Sequence, residues 1–170
     1  MIFVTLGTND KQFTRLLDAC EKAIEEKAIT DRVVVQAGFT KYESKNMEIF
    51  DYMDRDQFST FMNSADLVIT HGGVGTIMTA LKERKKILAA ARLSEYHEHV
   101  NDHQVEFARN VEKRMGTIIP VEDIEELGDV ITNYDQLVAK MEHGLSSNNA
   151  QFNKKLEMLV NSIFEGKYNE

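Results

Sequence analysis

The sequence predicts an α/β fold: a Rossmann-like parallel sheet with helices on both faces. Two observations carry this. Short apolar, β-branched runs alternate with segments of helical period, and the links between them are short. The polar, glycine-bearing segments follow the apolar runs, so they should gather at the carboxyl edge of such a sheet, where ligands bind near a topological switch point.

The elements read in order as follows. Ile2 to Leu6 is an apolar run that stops at Gly7-Thr8-Asn9, as a strand ends at a turn. From Lys11 to Lys27, Phe13, Leu16, Leu17, Cys20, Ala23 and Ile24 recur at helical spacing. Val33 to Gln36 is a second strand, closed by Gly38, and Glu48 to Tyr52 a third. Arg55 to Ser64 reads as a short helix, Leu67 to Thr70 as a buried strand, and Thr76 to Glu83 as a helix. Ile87 to Ala90 is a further strand, followed by a polar loop from Arg92 to His99. Asn101 to Lys113 is expected to be helical, Gly116 to Ile119 a strand, and Val121 to Ile131 a helix opened by acidic residues. From Asn148 to Phe164, Phe152, Leu156, Leu159, Val160, Ile163 and Phe164 form one amphipathic stripe. It either packs on its own domain or docks another chain. The expected division is a sheet domain over residues 1–145 and a C-terminal helix over 146–170.

Composition bounds the function. The chain has 170 residues, 42% of them hydrophobic and 28% charged, which suits one globular domain with an appendage. Lys and Arg number 20 against 28 Asp and Glu, a net charge of −8, which argues against a nucleic-acid binder living on phosphate contacts. Cys20 is the only cysteine, so no intrachain disulfide forms, and its helical position suits a small core residue. The start has no basic leader, and no apolar run approaches the ~20 residues of a membrane span. The expectation is a cytoplasmic chain that meets a membrane only through a surface or a partner.

Four segments could carry chemistry. The strongest is Leu67-Val68-Ile69-Thr70-His71-Gly72-Gly73-Val74-Gly75-Thr76: strand, glycine turn, helix start. Glycines let a backbone approach a ligand, and the free N–H groups of a helix start favour phosphate. Thr76 could add a hydroxyl contact, and His71 could donate to a phosphate oxygen. A tight turn that needs glycine for its geometry explains the same residues. The segment is neither a dinucleotide fingerprint, since Met78 stands at the sixth position, nor a P-loop, which needs Gly-Lys-Thr or Gly-Lys-Ser. Gly7-Thr8-Asn9 is a smaller turn of the same kind and a plausible second wall. The third segment, Glu95 to Gln104, holds three of the five histidines. It reads as a polar rim for sugar hydroxyls, served by Asp102 and Gln104, or as a helix cap made by Asn101 or Asp102. It also reads as a metal-dependent hydrolase site built on His97, His99 and His103. The run from Lys82 to Lys86 suits a helix C-terminus or, alternatively, an anionic membrane surface.

Taken together, Met1 to Thr8, Ala65 to Thr76 and Glu98 to Gln104 resemble the C-terminal-domain half of family-28 glycosyltransferases. They are similar to the small subunits of two-subunit exopolysaccharide and capsule glycosyltransferases, and to the catalytic subunit of the dolichol-linked UDP-GlcNAc transferase. The resemblance implies the donor-binding half of a two-domain architecture. It implies inverting transfer of a hexose from a UDP-sugar to a lipid-linked saccharide acceptor, with no cofactor and no metal. It also implies a membrane-anchored, acceptor-binding partner subunit that recruits the chain to the inner face of the membrane. By motif match, Gly7 and Thr8 would line the diphosphate and acceptor side, His71, Gly72, Gly73, Gly75 and Thr76 would hold the diphosphate, and Glu98, His99, Asp102 and Gln104 would lie near the donor sugar. His99 and Asp102 are candidates for the base that deprotonates the acceptor, which a partner could equally supply. A non-catalytic enhancer subunit is the alternative role. Two positions depart from the family pattern: Thr79 stands where a ribose-binding Glu is common, and no proline follows Ile87 to Ala90.

Overall fold

The computed structural model describes residues 1–115 and 118–140. Within them six strands form one parallel sheet: β1 (Ile2–Thr5), β2 (Val33–Gln36), β3 (Met47–Phe50), β4 (Leu67–Thr70), β5 (Lys86–Ala90) and β6 (Ile119–Val121). Their spatial order is β3-β2-β1-β4-β5-β6. Between and after the strands run α1 (Thr14–Glu25), α2 (Arg55–Ser64), α3 (Val74–Lys82), α4 (His103–Met115), α5 (Leu127–Thr132) and α6 (Tyr134–Lys140).

The strands are apolar throughout because both faces are covered. Ile2, Val4, Val33, Val35, Leu67, Ile69, Leu88 and Ala90 pack on one side with Leu16, Leu17, Cys20 and Ala23 of α1, Leu127 of α5 and Tyr134 of α6. Phe3, Val34, Val68, Ile87 and Ala89 pack on the other with Met62 of α2, Ile77 and Leu81 of α3, and Ala108 and Val111 of α4. The alternation follows the period of two along a strand, and burial on both sides is what a parallel sheet requires. In register, Thr5 stands beside Gln36 and Thr70, so the carboxyl end of the central strands is where the apolar core gives way to polar side chains.

Cys20 is buried in the core as expected, and its thiol is pushed up to about 12 by burial and by the Glu21 carboxylate. Asp54 caps α2 reciprocally with Gln57.

Several boundaries differ from the sequence reading. The last strand is Ile119–Val121 rather than Gly116 to Ile119, and it includes Pro120. It lies at the sheet edge, where a missing N–H on the unpaired side is tolerated. The helix expected from Val121 instead begins with a 3-10 turn at Ile124–Glu126, opened by Asp123, whose side chain accepts from the Glu125 amide. The α-helix proper starts at Leu127. Helix α1 starts at Thr14, not Lys11, because the Phe13 amide is taken by Thr40 Oγ1 from the loop after β2. The C-terminal helix expected over 146–170 lies outside the described residues. No described helix is long and apolar enough to cross a membrane.

Candidate functional site

The sheet order places β1 beside β4 while the chain leaves them in opposite directions, toward β2 and toward β5. That arrangement opens a crevice at their carboxyl ends. The loops carrying Gly7 and His71 meet there.

His71 is the centre of the contact. Its Nδ1 lies 3.2 Å from the Thr5 carbonyl oxygen and 3.4 Å from Thr70 Oγ1, and its amide donates to the same Thr5 carbonyl at 3.3 Å. A carbonyl only accepts, so Nδ1 carries the ring proton and Nε2 is the lone-pair side. The ring is only 9% exposed. Burial, followed by the charges of Arg92 and His99, lowers its pKa from 6.5 to about 4, against the opposing Thr5 hydrogen bond. The imidazole is therefore neutral at pH 7.

Two glycines make room for that ring. A Cβ on Gly7 would stand 2.5 Å from His71 Cε1 and Nε2, and one on Gly73 would collide with Nε2 and Cε1 as well. Gly7 also has φ +74, a conformation that favours glycine. These glycines are explained by close approach, as well as by turn geometry.

Gly73 is the N-cap of α3 and brings no capping side chain. The first helical bond runs from the Ile77 amide to the Gly73 carbonyl. The amides of Val74, Gly75 and Thr76 thus belong to the unpaired first turn, the positive end of the helix dipole. Gly75 is exposed and Thr76 half-buried, and nothing stands near the position of a Gly75 Cβ. Thr8 is exposed on the facing loop.

The loop after β5 is built differently from the expected sugar rim. Glu98 is buried, and both carboxylate oxygens are engaged: Arg15 Nε and Nη2 donate to them at 3.0 and 2.8 Å, and the Leu93 amide at 3.0 Å. Its carboxylate therefore holds the loop to α1. Gln104 is buried, accepts from the Arg92 amide at 3.3 Å, and packs behind Gly72. Asp102 accepts from the Ser94 amide and hydroxyl at 2.7 and 3.1 Å, so its carboxylate closes the loop rather than capping α4. His99 is half-buried, with Nδ1 3.1 Å from the Asn101 carbonyl and its ring 4.9 Å from that of His103. His97 is exposed and sits in a left-handed conformation at φ 58. Among the described residues, no three of His, Cys, Asp and Glu are grouped to hold a metal ion, so the hydrolase alternative finds no support in the geometry. His143 lies outside the described residues.

The edge also carries residues that the sequence reading passed over. Phe39 and Tyr52 follow β2 and β3, are each 49% exposed, and meet edge to face with centroids 5.8 Å apart. Their signal was available: aromatic residues two or three positions past a strand end, on the side where ligands bind. Arg92, fully buried beside the Gly7 turn, had no comparable signal.

The sequence profile of the glycosyltransferase family 28 C-terminal domain matches residues 1–162. No curated protein shows significant sequence similarity to the chain. Among solved structures, the spinosyn forosaminyltransferase SpnP is similar over 92% of this chain and 39% of its own, at 14% identity and a TM-score of 0.59. The spinosyn rhamnosyltransferase SpnG, complexed with spinosyn aglycone, is similar over 95% and 41%, at 19% identity and a TM-score of 0.57. The glycosyltransferase SsfS6 of Streptomyces sp. SF2575, complexed with thymidine diphosphate, is similar over 82% and 36%, at 21% identity and a TM-score of 0.51. The chain thus spans about two-fifths of the length of these structures or slightly less. These likenesses show the fold, and the profile spanning nearly all of the sequence places the chain in the glycosyltransferase family 28 C-terminal domain family.

Proposed function

We propose that the chain is the donor-binding half of an inverting glycosyltransferase. It moves a hexose from a UDP-sugar to a lipid-linked saccharide acceptor, and a second, membrane-anchored lobe supplies the acceptor side. The observation that carries this reading is the juxtaposition of Gly7, His71 and Gly73 with the uncapped start of α3. Three unpaired amides at a helix start with no capping side chain suit a diphosphate. The thymidine diphosphate bound by SsfS6 fits the same class of donor.

The chemistry follows from where charge develops. As the bond to the sugar breaks, negative charge grows on the diphosphate, and preorganised amides stabilise it without reorganising. His71 takes part in a defined way. With Nδ1–H given to Thr5, the neutral ring offers only a lone pair at Nε2. It donates to a phosphate oxygen once a second proton is taken up, which the arriving negative charge favours. The exposed pair Phe39 and Tyr52 offers a face for the base, since stacking on aromatics tolerates any base.

Of the expected sugar contacts, Glu98 is committed to Arg15 of α1 and Asp102 to Ser94 of its own loop. That commitment favours a base supplied by the partner lobe, and it is the observation that keeps the enhancer role as the second reading.

Calorimetric titration of UDP, with dTDP and uridine beside it, tests the donor site. Micromolar to millimolar UDP binding is expected, with uridine much weaker and His71→Ala weaker for UDP. Absence of nucleotide binding, with the partner lobe present or not, would sink the proposal. Turnover by the partner complex with His71→Ala unimpaired would move the chain to the enhancer role.

A further inference from the structure

We infer that Arg92 is a positioning residue: it clamps the loop after β1 to the loop after β5 and sets a permanent positive charge beside the Gly7 turn. The inference rests on the donor-binding reading and adds a residue that reading does not use.

Arg92 follows β5 and is 0% exposed. Its Nη2 donates to the Leu6 carbonyl at 2.9 Å. Its Nη1 donates to the carbonyls of Lys11 at 2.8 Å, Gln12 at 3.4 Å and Glu98 at 3.3 Å. The guanidinium lies over the Phe13 ring, 5.0 Å from its centroid. One side chain therefore ties both ends of the Leu6–Phe13 segment, the stretch that carries Gly7 and Thr8, to the loop holding Glu98. The Arg92 amide reaches Gln104, which backs Gly72. The two walls of the crevice share this one anchor.

A buried guanidinium is costly, and the usual compensation is a carboxylate. Of the two carboxylates that act on it, Glu98 is paired with Arg15 at 2.8 Å and Asp10 makes no ion pair with it. Among the described residues Arg92 makes no ion pair, its Nε has no hydrogen-bond partner, and burial lowers its pKa to about 10. Carbonyl dipoles hold the cation in place, and the carboxylates of Glu98 and Asp10 favour its charge from outside hydrogen-bond contact. The field reaches the crevice, since Arg92 is one of the charges that disfavour protonation of His71. A fixed cation at the Gly7 turn would raise the affinity of a diphosphate bound there, and an apolar core residue would have packed the same space with less desolvation.

The experiment compares wild type, Arg92→Met and Arg92→Lys by two readouts: amide hydrogen exchange over residues 6–13 without ligand, and the ratio of UDP to UMP affinity. Arg92→Met should speed exchange over 6–13 and lower UDP affinity roughly tenfold, with UMP less affected, because the charge acts most on the more charged ligand. Arg92→Lys should keep the UDP to UMP ratio while still speeding exchange, since an ammonium cannot span the same carbonyls. Unchanged exchange in either folded variant overturns the clamp. An unchanged UDP to UMP ratio in Arg92→Met overturns the electrostatic role. If Arg92→Met does not fold, exchange in Arg92→Lys decides the clamp, and a ratio shifted by Arg92→Lys overturns the charge role. Wild type that binds no UDP refutes the donor reading, while the exchange readout still judges the clamp.

Discussion

Arg15 and Glu98, 83 residues apart in sequence, meet as a two-pronged ion pair with Nε and Nη2 at 3.0 and 2.8 Å from the two carboxylate oxygens. Glu98 is nearly sealed, at 5% side-chain exposure, while Arg15 keeps 22%. Arg15 also lies against the Tyr96 ring, 4.6 Å from its centroid, so the pair fastens the loop after β5 onto the start of α1. Glu98→Gln removes the charge but keeps the shape. It should destabilise the fold by about 2 kcal/mol, less than the ~3–5 kcal/mol of a fully buried pair because Arg15 is partly solvated. Urea unfolding measures it, and the Arg15→Met background should absorb most of the effect. Equal losses in both backgrounds would mean that the pair contributes nothing.

Gly7→Ala tests the close approach. The added methyl meets the His71 ring at 2.5 Å, and φ +74 strains any L side chain. Destabilisation of about 2 kcal/mol is expected, together with loss of nucleotide binding. Combining it with His71→Ala should return the steric part and leave the backbone part. If the double variant is no more stable than Gly7→Ala, the ring is not what the methyl strikes.

His71 also sets a pH dependence. Its ring titrates at 6.5 when unfolded and at about 4 in the fold. Above 6.5 both states hold a neutral ring, so its stabilising effect is fully present. Below 6.5 the unfolded chain takes a proton that the folded chain refuses, and stability is lost as pH falls toward 4. The full loss is about 3 kcal/mol. Urea midpoints at pH 7 and pH 5 should differ less for His71→Gln than for wild type. Parallel curves would assign the dependence to other groups.

The turn at His97 offers a gain. Its φ of 58 is left-handed, and the side chain is exposed. His97→Gly should stabilise the fold by roughly 0.5 to 1 kcal/mol, because relief of strain outweighs the added freedom of the unfolded chain. A melting temperature below that of wild type would contradict it.

The central strands were legible because burial on both faces leaves an unbroken apolar run, as in Val33 to Gln36 and Leu67 to Thr70. The last strand slipped by two to three residues because a three-residue edge strand containing Pro120 has little pattern of its own. The glycine segment was readable as a ligand turn, since strand, glycines and helix start are adjacent in sequence. The proton on His71 was not: it depends on the Thr5 carbonyl, 66 residues away. The same holds for Glu98, which looks like a free carboxylate until Arg15 arrives from α1. Local chemistry was visible, and the partners that commit it were not.

The pairing of β1 with β4 brings residues such as Ile2 and Leu67 together across most of the first half of the chain. Closing so long a loop is among the slower steps a chain of this kind takes. Gly7 cannot meet His71 until it is complete, so no early, locally folded fragment presents the crevice. On the proposed donor-binding reading, nucleotide capture would report that this closure is complete, and a bound nucleotide would draw that stage of folding forward by mass action.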